Sequence, residues 1–409
     1  MNPAPLSERF NFGCILSLWF DAVNACFLEK RQFCAECRNF SEKFTIGCDI
    51  VIRNRRELFP PDTVFMNNDR SGKGGEGMRR TLAACCAAHF LVDFACAFLV
   101  FRFLGESGDL SALLLAYNFC AFAIQMPLGL LADRWDRDGV LAAAGVLAVA
   151  LAYGLTPFPS LAVMLAGLGN AAFHVGAGLE TLSVSREKAG PLGLFVSPGA
   201  VGLSCGTALG KDGIFPVWLA AILLLLAAVV LLLTKTPRPG AQTSPGLPPF
   251  QAVGLPLLAL LGVVILRSWV GMGLTFPWKG EGHWAVVLLL ALAAGKAAGG
   301  YLADIFGFRE TAAVSLTLSA ALLFLAPGHT LPCVAAIFLF NMTMPLTLWA
   351  SARMLPSARG FAFGLLTFGL FLGFLPAAFG AGLSAPVAAA GALVSLALLL
   401  PGIGKAVGT

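Results

Sequence analysis

Gly129-Leu-Leu-Ala-Asp-Arg-Trp-Asp-Arg-Asp138 is a dense run of charge set between two long apolar runs, Leu110 to Leu130 and Val140 to Leu155. Each run is about long enough to cross a hydrocarbon core of roughly 30 Å. The loop between them carries Asp133, Arg134, Asp136, Arg137 and Asp138. Such charges are too costly at a bilayer centre, so the loop must lie at a membrane surface, with a span on either side.

Composition agrees. Hydrophobic residues make up 58% of the 409 and charged residues only 12%, with a mean hydropathy of +0.82. Soluble domains carry about 25% charge, so an integral membrane protein is expected. The net charge of +5 is spread over loop ends, not gathered into a stripe, so no nucleic-acid partner is expected and the pattern reads as a topology signal. Of eleven cysteines, Cys85, Cys86, Cys96, Cys120, Cys205 and Cys333 sit inside apolar runs, where free Cys acts as a small hydrophobe. Cys34 and Cys37 form a CxxC with no second pair to complete a zinc site, so no metal is expected.

Residues 1–77 differ from the rest, with ten basic and ten acidic residues and no spanning run. The segment reads as an extension that is disordered, regulatory or not translated. Gly74-Gly75-Glu76-Gly77 would be encoded by G-rich codons of the kind found in a bacterial ribosome-binding site, and Met78-Arg79-Arg80 then opens an apolar run, so Met78 is a candidate start. From there the pattern predicts twelve spans, near 82–104, 110–131, 139–156, 160–182, 190–210, 214–233, 252–276, 284–303, 311–326, 331–352, 360–380 and 383–402. Residues 234–250 are rich in Pro, Gly, Ser and Thr, as a linker is, and divide the chain into halves at 78–233 and 251–409.

Basic residues near span ends set orientation. Arg79, Arg80, Arg134, Arg137, Arg186, Lys188, Lys235, Arg238, Arg309, Arg353, Arg359 and Lys405 fall on one side, against mainly Arg102, Lys211 and Lys279 on the other. Both termini are therefore expected in the cytoplasm.

The two halves repeat. Gly129-Leu-Leu-Ala-Asp133 after the second span recurs as Gly300-Tyr-Leu-Ala-Asp304-Ile-Phe-Gly-Phe-Arg309 after the eighth. Parallel repeats of this kind build transporters with a site between the halves near the midplane. The loop resembles the signature of the major facilitator superfamily, G-x-L-a-D-r-x-G-r-k, placed where that family has it. The resemblance implies an all-α membrane protein of twelve helices in two six-helix halves, with Gly129, Asp133, Arg134, Arg137, Gly300, Asp304 and Arg309 as gating-loop residues. The match is imperfect. Asp136 stands where Gly is expected, Asp138 where a basic residue is expected, and Ile305 where the second copy would carry its first Arg. Gly169-Asn-Ala-Ala-Phe-His174, Leu266-Arg-Ser-Trp269, the run from Leu355 to Leu365 and the pair His89/Asp93 are similar to the fosmidomycin-resistance-like branch. That likeness implies a proton-driven exporter.

Intramembrane polar groups are the remaining candidates, since ionisable side chains in lipid usually serve a function. His89 and Asp93, four residues apart, share a helix face and make a plausible proton relay or a structural pair. Lys296 is a further proton-coupling candidate or a snorkelling cation. Arg267 is expected to bind an anionic substrate group or Asp93 across the halves, or to snorkel to the interface. His174, Trp269, Asn118 and Gln125 are candidates to line the same site, the two amides having interhelical bonding as their plainer role. Gly202, Gly206 and Gly210, and the pairs Gly360/Gly364 and Gly369/Gly373, make flat faces for a gating seam or for ordinary tight packing.

No P-loop, HExxH or GxSxG occurs, so ATP drive and hydrolytic chemistry are not expected and no cofactor is implied. The expected function is secondary transport: a monomeric, proton-coupled antiporter of the bacterial inner membrane, in contact with lipid, exporting a small, anionic drug or metabolite. Uptake by symport, or a non-transporting sensor or scaffold of the same fold, are the other readings.

Overall fold

The computed structural model of the protein describes residues 72–105, 109–135, 137–234 and 250–408. Asp136, the Cys34/Cys37 pair, nearly all of the 1–77 segment and most of the 234–250 linker lie outside the described residues. Among the described residues twelve long helical segments follow one another. They are α1 (Gly72–Phe103), α2 (Leu110–Trp135), α3 (Asp138–Leu155), α4 (Pro159–Val184), α5 (Gly190–Asp212), α6 (Val217–Leu233), α7 (Phe250–Gly273), α8 (Trp284–Phe306), α9 (Phe308–Leu325), α10 (Thr330–Met354), α11 (Arg359–Ala378) and α12 (Ala385–Val407). Eleven are long and apolar enough to cross a membrane, and α6, at 17 residues, is wholly apolar. The chain is built as a multi-pass membrane protein. Leu225, Leu255, Val314 and Phe324 are all more than 45% exposed, an apolar exterior that lipid, not water, can match.

The expected spans agree with the observed helices, with local differences. α1 begins at Gly72 and not near 82: its first turns are polar, and an ion pair between Glu76 and Arg80 lies on their surface. α2 carries one π turn over Phe119–Ala123. α5 breaks at Ser197, before Pro198, which has no N–H to continue the ladder. α10 breaks at Met342–Thr343, ahead of Pro345.

Helix packing in lipid depends on close backbone approach, and the glycines show where it happens. Gly202, Gly206 and Gly210 of α5 lie on the carbonyls of Phe90, Phe94 and Phe98 in α1, so this stripe packs within the first half. Gly369 and Gly373 of α11 lie on Leu261 and Ile265 of α7, within the second. Gly360 and Gly364 meet α2 at Gly129 and Gln125, and Gly193 of α5 meets α8 at the Lys296 carbonyl. The halves therefore touch along two seams, α2 with α11 and α5 with α8.

Candidate functional site

Both seams close at the end of the bundle that carries the repeated loops. Asp133, near the end of α2, accepts from the backbone N–H of Gly360 (2.7 Å, Oδ1) and Phe361 (2.9 Å, Oδ2) in the first turn of α11. Asp304, near the end of α8, accepts from Ala189 and Gly190 at the start of α5, both at 2.8 Å. Each carboxylate thus caps a helix of the opposite half, satisfying orphan N–H groups and facing the positive end of the helix dipole. The repeat glycines are the contact points: a Cβ on Gly129 would strike the Gly360 carbonyl, and one on Gly300 the Ala189 carbonyl.

Arg134 and Arg137 lie exposed beside this clamp. Arg309 reaches along its own half to Gly404 of α12. Asp138, in place of the expected basic residue, opens α3, where a negative charge suits the helix N-terminus. A third inter-half tie joins the same end. Arg186 and Glu187 take left-handed φ of 47° and 68°, the Glu187 carbonyl accepts from Trp349 Nε1 at 2.6 Å, and its carboxylate pairs with Arg353. Phe308 stacks on the same Trp349. Towards the opposite end, α2 and α11 part around an apolar groove lined by Ala112, Leu115, Ala116, Phe119, Phe371 and Leu375.

Between the seams sit two polar centres, one per half. In the first half, His89 and Asp93 of α1 meet His174 and Asn170 of α4. His89 Nε2 lies 3.3 Å from Asp93 Oδ2, and His174 Nε2 lies 3.8 Å from Oδ1. Asn170 donates to Oδ1 at 2.9 Å. The two Nε2 atoms are 2.9 Å apart. Each Nδ1 rests on a backbone carbonyl: His89 on Phe195, at the break in α5 (2.6 Å), and His174 on Asn170 (2.9 Å). Gly199, just past that break, covers the cluster, and a Cβ there would strike His89 and Asp93.

Donor atoms of the three residues lie within 4.8 Å of one another. Two imidazoles at tetrahedral angles on zinc, 2.0–2.1 Å from it, stand about 3.3–3.4 Å apart. The observed 2.9 Å is shorter and falls at hydrogen-bond length.

In the second half Arg267 of α7 is 6% exposed. Its guanidinium does not reach Asp93, as expected from the sequence, but turns to α10, donating to Thr343 (2.8 Å), Thr347 (3.2 Å) and the Met344 sulfur. These partners are neutral, and Nε has none. Lys296 of α8 is within electrostatic reach of Arg267, Asp93 and His174. His174 therefore belongs with His89 and Asp93, not with Arg267. Trp269 Nε1 is buried without a partner, its ring beside Gly273. Asn118 and Gln125 bond along their own helix to Leu114 and Ala121, and the Gln125 carbonyl packs on α11, so they flank the π turn of α2 at the seam.

Asn170 as the carboxylate's donor, Thr343 and Thr347, and the tie from Trp349 and Arg353 to Glu187 are not evident from sequence. The one signal for the threonines is Thr343-Met-Pro-Leu-Thr347 itself, hydroxyls at helical spacing around a Pro that breaks a span.

Two six-helix halves, α5 and α10 broken within their length and one buried polar centre in each half fit the twelve-helix major facilitator fold. Solved structures bear this out. The E. coli fucose:proton symporter FucP is 14% identical, with a TM-score of 0.59 over 80% of this chain and 98% of that one. The human organic anion transporter TETRAN is 14% identical with a TM-score of 0.60, covering 79% and 99%. A bacterial homologue of the iron transporter ferroportin, at 14% identity, gives 0.53 over 81% and 98%. At this identity the likeness establishes the fold alone. No family model matches the chain, and neither does any curated protein.

Proposed function

We propose that the protein is a major facilitator transporter that moves a small organic anion across the bacterial inner membrane, coupled to protons, by alternating access between residues 78–233 and 251–409 with 234–250 as linker. One observation carries this: Arg267, buried against α10, has only hydroxyl and thioether partners. A buried guanidinium lacking a carboxylate is costly, and a ligand anion supplies the missing charge with bidentate geometry. Lys296 adds a second cation against one carboxylate, Asp93, so the charge balance around the two centres favours a negative ligand.

Basic residues crowd the clamped end, among them Arg79, Arg80, Arg134, Arg137, Lys188, Arg353 and Arg359, which supports a cytoplasmic placement of that end and of both termini. The state described is then outward-facing. The likeness of the His89/Asp93, Gly169 to His174 and Leu355 to Leu365 stretches to the fosmidomycin-resistance-like branch favours export by antiport, with Asp93, His89, His174 and Lys296 coupling protons and Arg267 and Trp269 lining the substrate path. The test is a panel of small anions in everted vesicles with a pH-sensitive dye. Asp93→Asn is expected to abolish pH-driven flux while the protein still folds. Retained flux in that variant sinks the assignment.

A further inference from the structure

His89 and His174 are joined in a way that fixes how many protons they hold. A backbone carbonyl has no proton to give, so the contacts of His89 Nδ1 with Phe195 (2.6 Å) and of His174 Nδ1 with Asn170 (2.9 Å) place an N–H on both Nδ1 atoms. With both rings neutral, two Nε2 lone pairs would face each other at 2.9 Å in a buried site. With both rings doubly protonated, two N–H groups would face each other beside a single carboxylate. One added proton satisfies both atoms, as Nε2–H···Nε2.

We infer that His89 and His174 jointly bind a single proton between their Nε2 atoms, and that this pair is the proton site, with Asp93 as its fixed counter-charge. A proton on Asp93 would not do the same, because directed at His89 from 3.3 Å it still leaves the His174 lone pair against its neighbour. The surroundings are consistent from every helix packed there. Asn170 of α4 holds Asp93 as an acceptor. Cys96 of α1 and Tyr117 of α2 lie within electrostatic reach of the carboxylate, and the Cys96 sulfur meets Asn170. Gly199 of α5 closes the cluster, Phe173 and Phe195 flank the His89 ring, and the Lys296 ammonium of α8 is near enough to Asp93 and His174 to bear on a charge there.

The inference rests on the proton-coupled reading for its purpose and names the group that does the coupling. Losing the proton leaves two facing lone pairs and favours a different spacing of α1 and α4. Phe195, which anchors His89, lies in the α5 segment whose start Asp304 holds. The pair is thus connected to the inter-half clamp through one short helix segment.

The chain has only four histidines, and the other two, His283 and His329, are exposed, so isotope-labelled histidine NMR of the protein in lipid nanodiscs resolves the question. The expected result is Nδ1–H on both buried rings, a through-bond coupling between their Nε2 nitrogens, and uptake of one proton by the pair in one step. His174→Gln should remove the coupling. Two independent one-proton titrations without coupling overturn the inference. So does stoichiometric binding of zinc sulfate at neutral pH that displaces the bridging proton. Coupling present without pH-driven flux in vesicles upholds the shared proton and fails the transport reading; flux without coupling does the reverse.

Discussion

The two halves share a clamp and differ in their centres. Asp133 and Asp304 occupy the same place in the two repeats and make the same pair of backbone hydrogen bonds to a helix of the opposite half, at 2.7 and 2.9 Å in one and 2.8 and 2.8 Å in the other. The buried centres have no such symmetry. The first half holds two imidazoles and a carboxylate, and the second a guanidinium among hydroxyls. What the repeat preserves is the device that holds the halves together; what it has let diverge is the chemistry between them. The division assigns proton handling to α1 and α4 and anion recognition to α7 and α10.

The strongest way to break that division is at Arg267. Arg267→Met removes the fixed charge from the second half and is expected to lower kcat/KM for anion flux by about 100-fold, the scale of losing a buried charged hydrogen-bond pair. Proton uptake by the His89/His174 pair should be unchanged. Arg267→Lys should recover only part of the flux, because an ammonium is a point charge and does not reproduce a planar fork spanning Thr343 and Thr347. Proteoliposome flux measured beside histidine titration checks both. Loss of proton uptake in Arg267→Met would mean that the centres are one unit.

The clamps provide the next test, aimed at their equivalence. Asn offers one acceptor oxygen where Asp offers two, and its amide would oppose a backbone N–H. Asp133→Asn and Asp304→Asn should each weaken the closed end by about 1.5–3 kcal/mol, moving the population towards opening there by about 10- to 150-fold. Spin-label distances across the clamped end read this directly. Equal shifts sharpen the comparison; a shift at one site only makes the repeat a likeness of sequence without a shared role.

Much of the fold is legible in sequence because lipid demands long apolar runs. The twelve spans and the repeated loop follow from that, and Pro198 marks the break in α5. The site is less legible for a related reason. A span that is apolar on every face carries no stripe that says which side turns inward, so helix rotation is set by packing. His89 and Asp93 share a face by local spacing and are found easily. His174 joins them from 85 residues away, and the Asp133 bonds cross 227 and 228 residues. Nor does Arg267 announce its hydroxyl partners, since threonines within a span are common packing residues.

The smallest effect is expected at the arginines of the opening loop. The family signature that Gly129 to Asp138 resembles pairs its Asp with basic residues, which would make Arg134 and Arg137 part of the latch. The second repeat argues otherwise. It carries Ile305 where the first has Arg134, yet Asp304 makes bonds within 0.1 Å of those of Asp133. Since the clamp forms without that arginine in one copy, it should not need it in the other, and an exposed charge is screened by water and salt. Arg134→Gln and Arg137→Gln should each change the open population by less than about twofold, against the larger change for Asp133→Asn. If either matches Asp133→Asn in the spin-label measurement, the two clamps are held by different means and their symmetry is only geometric.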